Sequence, residues 1–293
     1  MRHGRSNRVS YGTALRLLSS VTMAVFLVMF GNVSGASAGA LILMAGVVVE
    51  AIATHLMAAG VVRDNVLTTI TPDGQPPLTL ARITQFHAPL AATTLLSFLI
   101  QPVTAAALAR LAMPRETLAA WPVIFSTMLV LRGWGLAIQE TTIAQAKAPQ
   151  LQQPLRDFTL VVAGVTSLAA ALLVWTPLLN LHLQYVIGLA PELRDYVRLG
   201  IQISVLLPAI TAMTSWLRGL LVATGSTGRV YRGMLTNLVV NCAVLALGVA
   251  LGLPGVIVAA TGLSLASAAE YAYLRRPVAT TPIPSVAPGL SRL

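Results

Sequence analysis

Eight stretches of this chain are apolar for long enough to cross a bilayer as helices, and that decides most of what it can fold into. They run over 13–31, 37–60, 86–110, 118–145, 158–179, 197–221, 233–252 and 255–274. At a rise of about 1.5 Å per residue, roughly 20 residues cross the hydrocarbon. Strands of a membrane barrel would instead alternate apolar and polar positions over about ten residues, and no such alternation is present. Only 10% of the 293 residues are charged and 56% are hydrophobic, with mean hydropathy +0.79. A soluble domain carries about 25% charge. These values exclude an ordinary soluble enzyme, a disordered tail and a disulfide scaffold. The chain reads as an all-α integral membrane protein with about eight transmembrane helices.

The polar breaks fall at 31–35, 71–77, 113–115, 148–150, 224–228 and 253–255, each containing Gly or Pro. The net charge of +10 then sorts by side. With residue 1 cytoplasmic, 13 Lys and Arg fall on the cytoplasmic side and 4 (Arg110, Arg115, Arg194, Arg198) on the outer side; Arg132 and Arg218 lie inside helices. This is the positive-inside pattern, and it predicts both termini in the cytoplasm. The basic excess is an orientation signal, not a nucleic-acid footprint. The usage of one Lys against 18 Arg points to a high-GC bacterium, hence to its cytoplasmic (inner) membrane. Cys242 lies in an apolar run and reads as packing. No zinc spacing, P-loop or nucleophile elbow is present, so no cofactor, metal site or catalytic residue is expected.

The chain also repeats itself. Gly4, Ser6, Arg8, Val9 and Gly12 match Gly225, Thr227, Arg229, Val230 and Gly233 at an offset of 221, and Gly35, Ala40, Leu43 and Glu50 match Gly255, Ala260, Leu263 and Glu270 at 220. An even number of helices between copies makes the repeat parallel. The second copy follows four helices and the first follows none, so a complete two-lobe protein would carry about 140 more residues ahead of Met1. The expected organisation is 1–60 as the last two helices of an incomplete N-terminal lobe, 61–81 as a cytoplasmic linker, 82–276 as a complete six-helix lobe, and 277–293 as a flexible cytoplasmic tail.

A six-helix parallel repeat with a Gly-x-Thr loop before its fifth helix resembles the multidrug/oligosaccharidyl-lipid/polysaccharide exporter superfamily, which includes the multidrug-and-toxin extrusion (MATE) transporters. Pro89-Leu90-Ala91 through Gln101-Pro102-Val103, then Leu118-Ala119-Ala120-Trp121-Pro122, resemble the first two helices of a lobe there. Phe86-His87-Ala88-Pro89-Leu90-Ala91, Trp175-Thr176-Pro177 and Trp216-Leu217-Arg218-Gly219 are most similar to the progressive ankylosis protein group. The resemblance covers about 11–275 and implies two six-helix bundles facing each other. For the ankylosis group it implies export of anions such as pyrophosphate, nucleotides or citrate, and for MATE it implies cation-coupled drug export. MATE proteins commonly place coupling acids in the first helix of a lobe, whereas 86–110 has no carboxylate.

A charge at membrane depth is by default a functional hypothesis. Arg132 lies near the centre of its span, and helical spacing puts it broadly on one side with Gly135, Gln139 and Thr142. That face suits a cavity for an anion, since guanidinium grips carboxylate or phosphate with two prongs; a purely structural Arg paired across the bundle is the equal alternative. Glu140 carries a proton or cation, or pairs with Lys147. Gln101-Pro102 is a mobile bend or a fixed kink. Glu50 and Glu270 hold equivalent repeat positions and read as structural, accepting from loop donors such as Arg8 and Arg229. Arg218 reads as a snorkelling loop anchor, and Asn237 and Asn241 as bridges to a neighbouring helix or cavity-facing groups. Trp121, Trp175 and Trp216 read as interfacial belt residues, and Trp134 as packed between helices.

The residues expected to touch a substrate are therefore Arg132, Gln139, Glu140, Gln101 and Asn241, with Pro102, Glu50, Glu270 and Arg218 as structural or gating positions. The expected function is transport of a small anionic solute by alternating access, with membrane lipid and a coupling ion as further partners and no enzymatic step. The alternatives are a flippase for a lipid-linked saccharide and a truncated chain that is inactive alone.

Overall fold

The computed structural model describes residues 7–31, 33–65, 79–146 and 151–280. The chain divides into two compact units, Met1–Pro77 and Leu78–Leu293. The first contains α1 (Asn7–Phe30) and α2 (Gly35–Asn65). The second contains α3 (Leu80–Leu108), α4 (Pro114–Gln145), α5 (Gln152–Trp175), the short α6 (Leu178–Leu181) with a π-helical turn over His182–Val186, α7 (Pro191–Ile203), α8 (Leu207–Ala223), α9 (Thr227–Ala250) and α10 (Gly255–Thr280). Seven of these helices are long and apolar enough to cross a membrane, and α7 with α8 makes an eighth, bent span. The protein is an all-α, multi-pass membrane protein, with two spans in the first unit and six in the second.

The bend corrects the sixth stretch, 197–221, which is not one helix. α7 and α8 are inclined by 44° at the turn between them. Pro208 has no N–H to give and its ring crowds the carbonyl four residues back, so a continuous helix through Ser204 is blocked. Two expected borders also move. α2 continues to Asn65 into the predicted linker, and α10 continues to Thr280 into the predicted tail; residues 66–78 and 281–293 lie outside the described residues. The Gly-marked breaks act as helix stops. Gly225 and Gly252 take positive φ of 76° and 61°. Past them, Ser226 N–H bonds Leu221 O at 2.7 Å and Leu253 N–H bonds Gly248 O at 3.0 Å, which closes each helix with a left-handed cap that glycine adopts without strain.

Inside the second unit, small residues set the helix contacts, as bilayer packing requires. Gly135 of α4 backs onto Ala212 of α8, and Thr142 onto Gly219, seven residues further along both helices. Equal steps in the same sense make α4 and α8 parallel, as two helices separated by one intervening span must be. A Cβ on Gly219 would lie 2.5 Å from Thr142 Cβ and 2.9 Å from the Gln139 carbonyl. Gly219→Ala is expected to lower stability by about 1–3 kcal/mol through this overpacking, read from thermal unfolding in detergent. Gly133→Ala, whose Cβ meets nothing, is the control.

The core gathers Leu108, Trp121, Ile124, Met128, Val197, Ile201 and Leu207 with residues of α9 and α10. This corrects the reading of the tryptophans. Trp121 is 4% exposed, whereas Trp134 is 75% and Trp175 61% exposed. Trp216 packs against Leu217, Leu221, Val230 and Leu274 with its indole N–H buried. Of the four, Trp134 is the one misread as packed, and of the supposed belt residues only Trp175 faces outward. In a bilayer the lipid face and the core are equally apolar, so periodicity alone does not separate them. Single-tryptophan variants retaining Trp134 are expected to be quenched by lipids brominated on the acyl chain, and those retaining Trp121 to be spared.

The internal repeat reappears as packing. Gly12 of α1 abuts Thr54 of α2, with 2.9 Å from a built Cβ to Oγ1, and Gly233 of α9 abuts Leu274 of α10 at 2.7 Å to Cδ2. The glutamates are also engaged alike. Arg16 Nη1 donates to Glu50 Oε2 at 3.3 Å, and Asn237 Nδ2 donates to Glu270 Oε2 at 3.0 Å. Arg16 and Asn237 are related by the same 221 offset. Thr13 also donates to Glu50. In each copy one donor thus sits on the paired helix, Arg16 on α1 and Asn237 on α9, where the sequence suggested Arg8 and Arg229; Glu270 has a further partner on α8.

Candidate functional site

Five helices of the second unit, α3, α4, α8, α9 and α10, line a half-open cavity of about 220 Å³ that carries several polar side chains. Each contributes at least one polar side chain. α3 presents Ser97 and Gln101, one turn apart. α8 presents Thr211, Thr214 and Arg218, spaced to fall on one stripe. α4 adds Arg132, α9 adds Asn237 and α10 adds Glu270. Ser215 of α8 and Ser267 of α10 also line it, and the rest of the wall is apolar, including Ile100, Phe125, Leu129, Leu136 and Leu263.

Glu270 anchors one side. It is 2% exposed, receives Arg218 Nε at 2.7 Å on Oε1, pairs with Arg218 Nη2 and receives Asn237 Nδ2. Three donors from two helices make this carboxylate well satisfied despite its depth. Arg218 is therefore not the snorkelling loop anchor expected of it. It turns inward because a buried carboxylate 52 residues away supplies a stronger partner than a loop can. Its Nη2 also approaches Met234 Sδ at 3.3 Å.

Arg132 is different. Its Nε donates to Thr211 Oγ1 at 2.7 Å, and Thr211 in turn donates to Leu207 O at 2.8 Å. Arg132 has no carboxylate partner among the described residues. Glu140, eight residues on, lies about 12 Å along the helix. The cavity thus holds two guanidiniums and one carboxylate, leaving one uncompensated positive charge.

Gln101 accepts from the Trp121 indole N–H at 3.2 Å, an α3–α4 link not foreseen from the sequence. The other expected substrate residues separate. Gln139 and Glu140 line a second cavity of about 320 Å³, together with Thr93 and Thr94; Glu140 is exposed. Ser97 and Arg218 belong to both cavities. Asn241 lines neither: it is 1% exposed and packs against Gly262 of α10. Gly135 and Thr142 are covered by α8, so the proposed Arg132 face is narrower than four residues. Pro102 is exposed within α3, and Glu50 belongs to the first unit. Sequence reasoning missed Ser97, Thr211 and Thr214 as wall residues. Their signal was a polar position every third or fourth residue in an otherwise apolar helix.

Among the described residues, no three His, Cys, Asp or Glu side chains come together as a metal site would need. Compared with protein families, curated proteins and solved structures, the chain matches none.

Proposed function

We propose that this protein is a membrane transporter that moves a small anionic solute by alternating access, within the MATE-like superfamily that its sequence resembles, in a bacterial inner membrane with both termini cytoplasmic. The observation that carries this reading is Arg132, a guanidinium in a polar cavity inside a span with no carboxylate partner among the described residues. An uncompensated cation at membrane depth is costly, and a site that admits an anion offsets that cost whenever it is filled. The cavity of about 220 Å³, below the roughly 300–1,000 Å³ of pockets that hold drug-sized ligands, suits a small solute. Ser97 and Arg218 line both cavities, so the Arg218–Glu270 pair stands between them. The mechanism requires no bond-making: Arg132 attracts and orients the anion, the hydroxyls and amides replace its water, and the helices around it exchange access.

Proteoliposomes carrying the full chain are expected to accumulate at least one labelled anion from a panel of lactate, citrate and pyrophosphate, and to leave ethidium unmoved. Ethidium movement without anion uptake would overturn the reading.

A further inference from the structure

Three residues that line the cavity each carry a buried polar atom with no partner in the fold: Gln101 Nε2, the Thr214 hydroxyl and Asn237 Oδ1. The two amides are oriented by chemistry. The Trp121 indole only donates, so it must meet the Gln101 oxygen, and that leaves the Gln101 amide nitrogen and its hydrogens free. The Glu270 carboxylate only accepts, so it must meet the Asn237 nitrogen, which leaves the Asn237 oxygen free. Thr214 is unusual in another way. A threonine in an apolar helix ordinarily donates to the carbonyl four residues back, as Thr104, Thr142, Thr159 and Thr211 do here. The Thr214 hydroxyl does not, although the residue is 7% exposed.

Buried groups without partners cost free energy unless a ligand or water satisfies them. Here they form a set: free guanidinium N–H groups on Arg132, an amide donor on Gln101, a hydroxyl of either sense on Thr214, and one acceptor on Asn237. A bare carboxylate uses the donors and leaves the acceptor orphaned. A polyanion brings more negative charge than the single uncompensated cation can balance, and excess buried charge is penalised. We infer that the solute is a small organic monoanion carrying its own hydroxyl donor, a short hydroxy acid in chemical class. This rests on the anion-transport reading and narrows it, and it departs from the pyrophosphate, nucleotides or citrate that the sequence resemblance implies.

The test is a matched ligand series titrated calorimetrically into the full chain in lipid nanodiscs. Glycolate and lactate are expected to bind at least about tenfold more tightly than acetate and propionate, about the worth of one satisfied buried hydrogen bond. They should exceed malonate and pyrophosphate by a similar margin. Asn237→Ala should collapse the preference for the hydroxylated member of each pair. Thr214→Val, which is near-isosteric and leaves the ion pair untouched, should reduce it by about threefold and carries the variant test if Asn237→Ala does not fold. Equal binding of glycolate and acetate, or tighter binding of the dianions, overturns this inference and leaves the anion reading standing. Absence of binding by every anion overturns both.

Discussion

Arg218→Met is expected to destabilise the fold by about 3–5 kcal/mol, the cost of leaving a buried carboxylate without its cation. Glu270 is 2% exposed and would retain only Asn237 as a donor. Glu270→Gln should cost less, about 1–3 kcal/mol, because the amide oxygen still accepts from Arg218 or Asn237. The double variant Arg218→Met/Glu270→Gln should recover at least half of the loss caused by Arg218→Met alone, since the carboxylate that the single variant strands is then gone. The cycle is read from unfolding in detergent at fixed composition. Additive effects of the two substitutions would show that the pair does not hold α8 to α10.

The opposite sign is expected at Arg132. A structural arginine destabilises when removed. An arginine kept for a ligand does not, because nothing in the empty site depends on it. The Thr211 hydroxyl keeps its bond to Leu207 O when Arg132 is gone. Arg132→Leu removes an uncompensated cation whose burial in hydrocarbon costs about 2.5–3.5 kcal/mol on insertion scales. The variant is therefore expected to be as stable as the wild type or more stable by about 1–2 kcal/mol, while anion uptake into proteoliposomes falls by at least about tenfold. Loss of stability like that at Arg218 would assign Arg132 to the scaffold. The two arginines look alike in the sequence; the partner, not the depth, separates them.

The spans and their number were legible because a bilayer demands about 20 apolar residues in a row. The repeat was legible to the level of single residues: Glu50 and Glu270, matched at an offset of 220, accept from Arg16 and Asn237, matched at the 221 offset of the preceding helix. Arg132 and Gln101 were legible as polar groups in the wrong solvent. The Arg218–Glu270 pair was not, because the two lie 52 residues apart with four helix ends between them and the helix rotations that align them are set by contacts such as Gly135 on Ala212 and Thr142 on Gly219. For the same reason Gln139 and Asn241 were grouped with Arg132, whereas the structure sends one to a second cavity and seals the other against Gly262. The bend at Ser204–Leu206 was announced by Pro208 and went unread, since the apolar run continues across it. Trp134 shows the deeper limit: outward-facing and core positions carry the same residue types when the solvent is lipid.

The central claim is that Arg132 is an anion's binding partner, and ligand-dependent stability tests it most directly. Unfolding of the wild-type chain in detergent, with and without lactate, citrate or pyrophosphate, should show stabilisation by at least one of them, reaching about 2.7 kcal/mol at 100 times its Kd. Arg132→Leu, folded and no less stable at the outset, should show none. An equal shift in both proteins, or no shift with any of the three anions in the wild type, would contradict the claim.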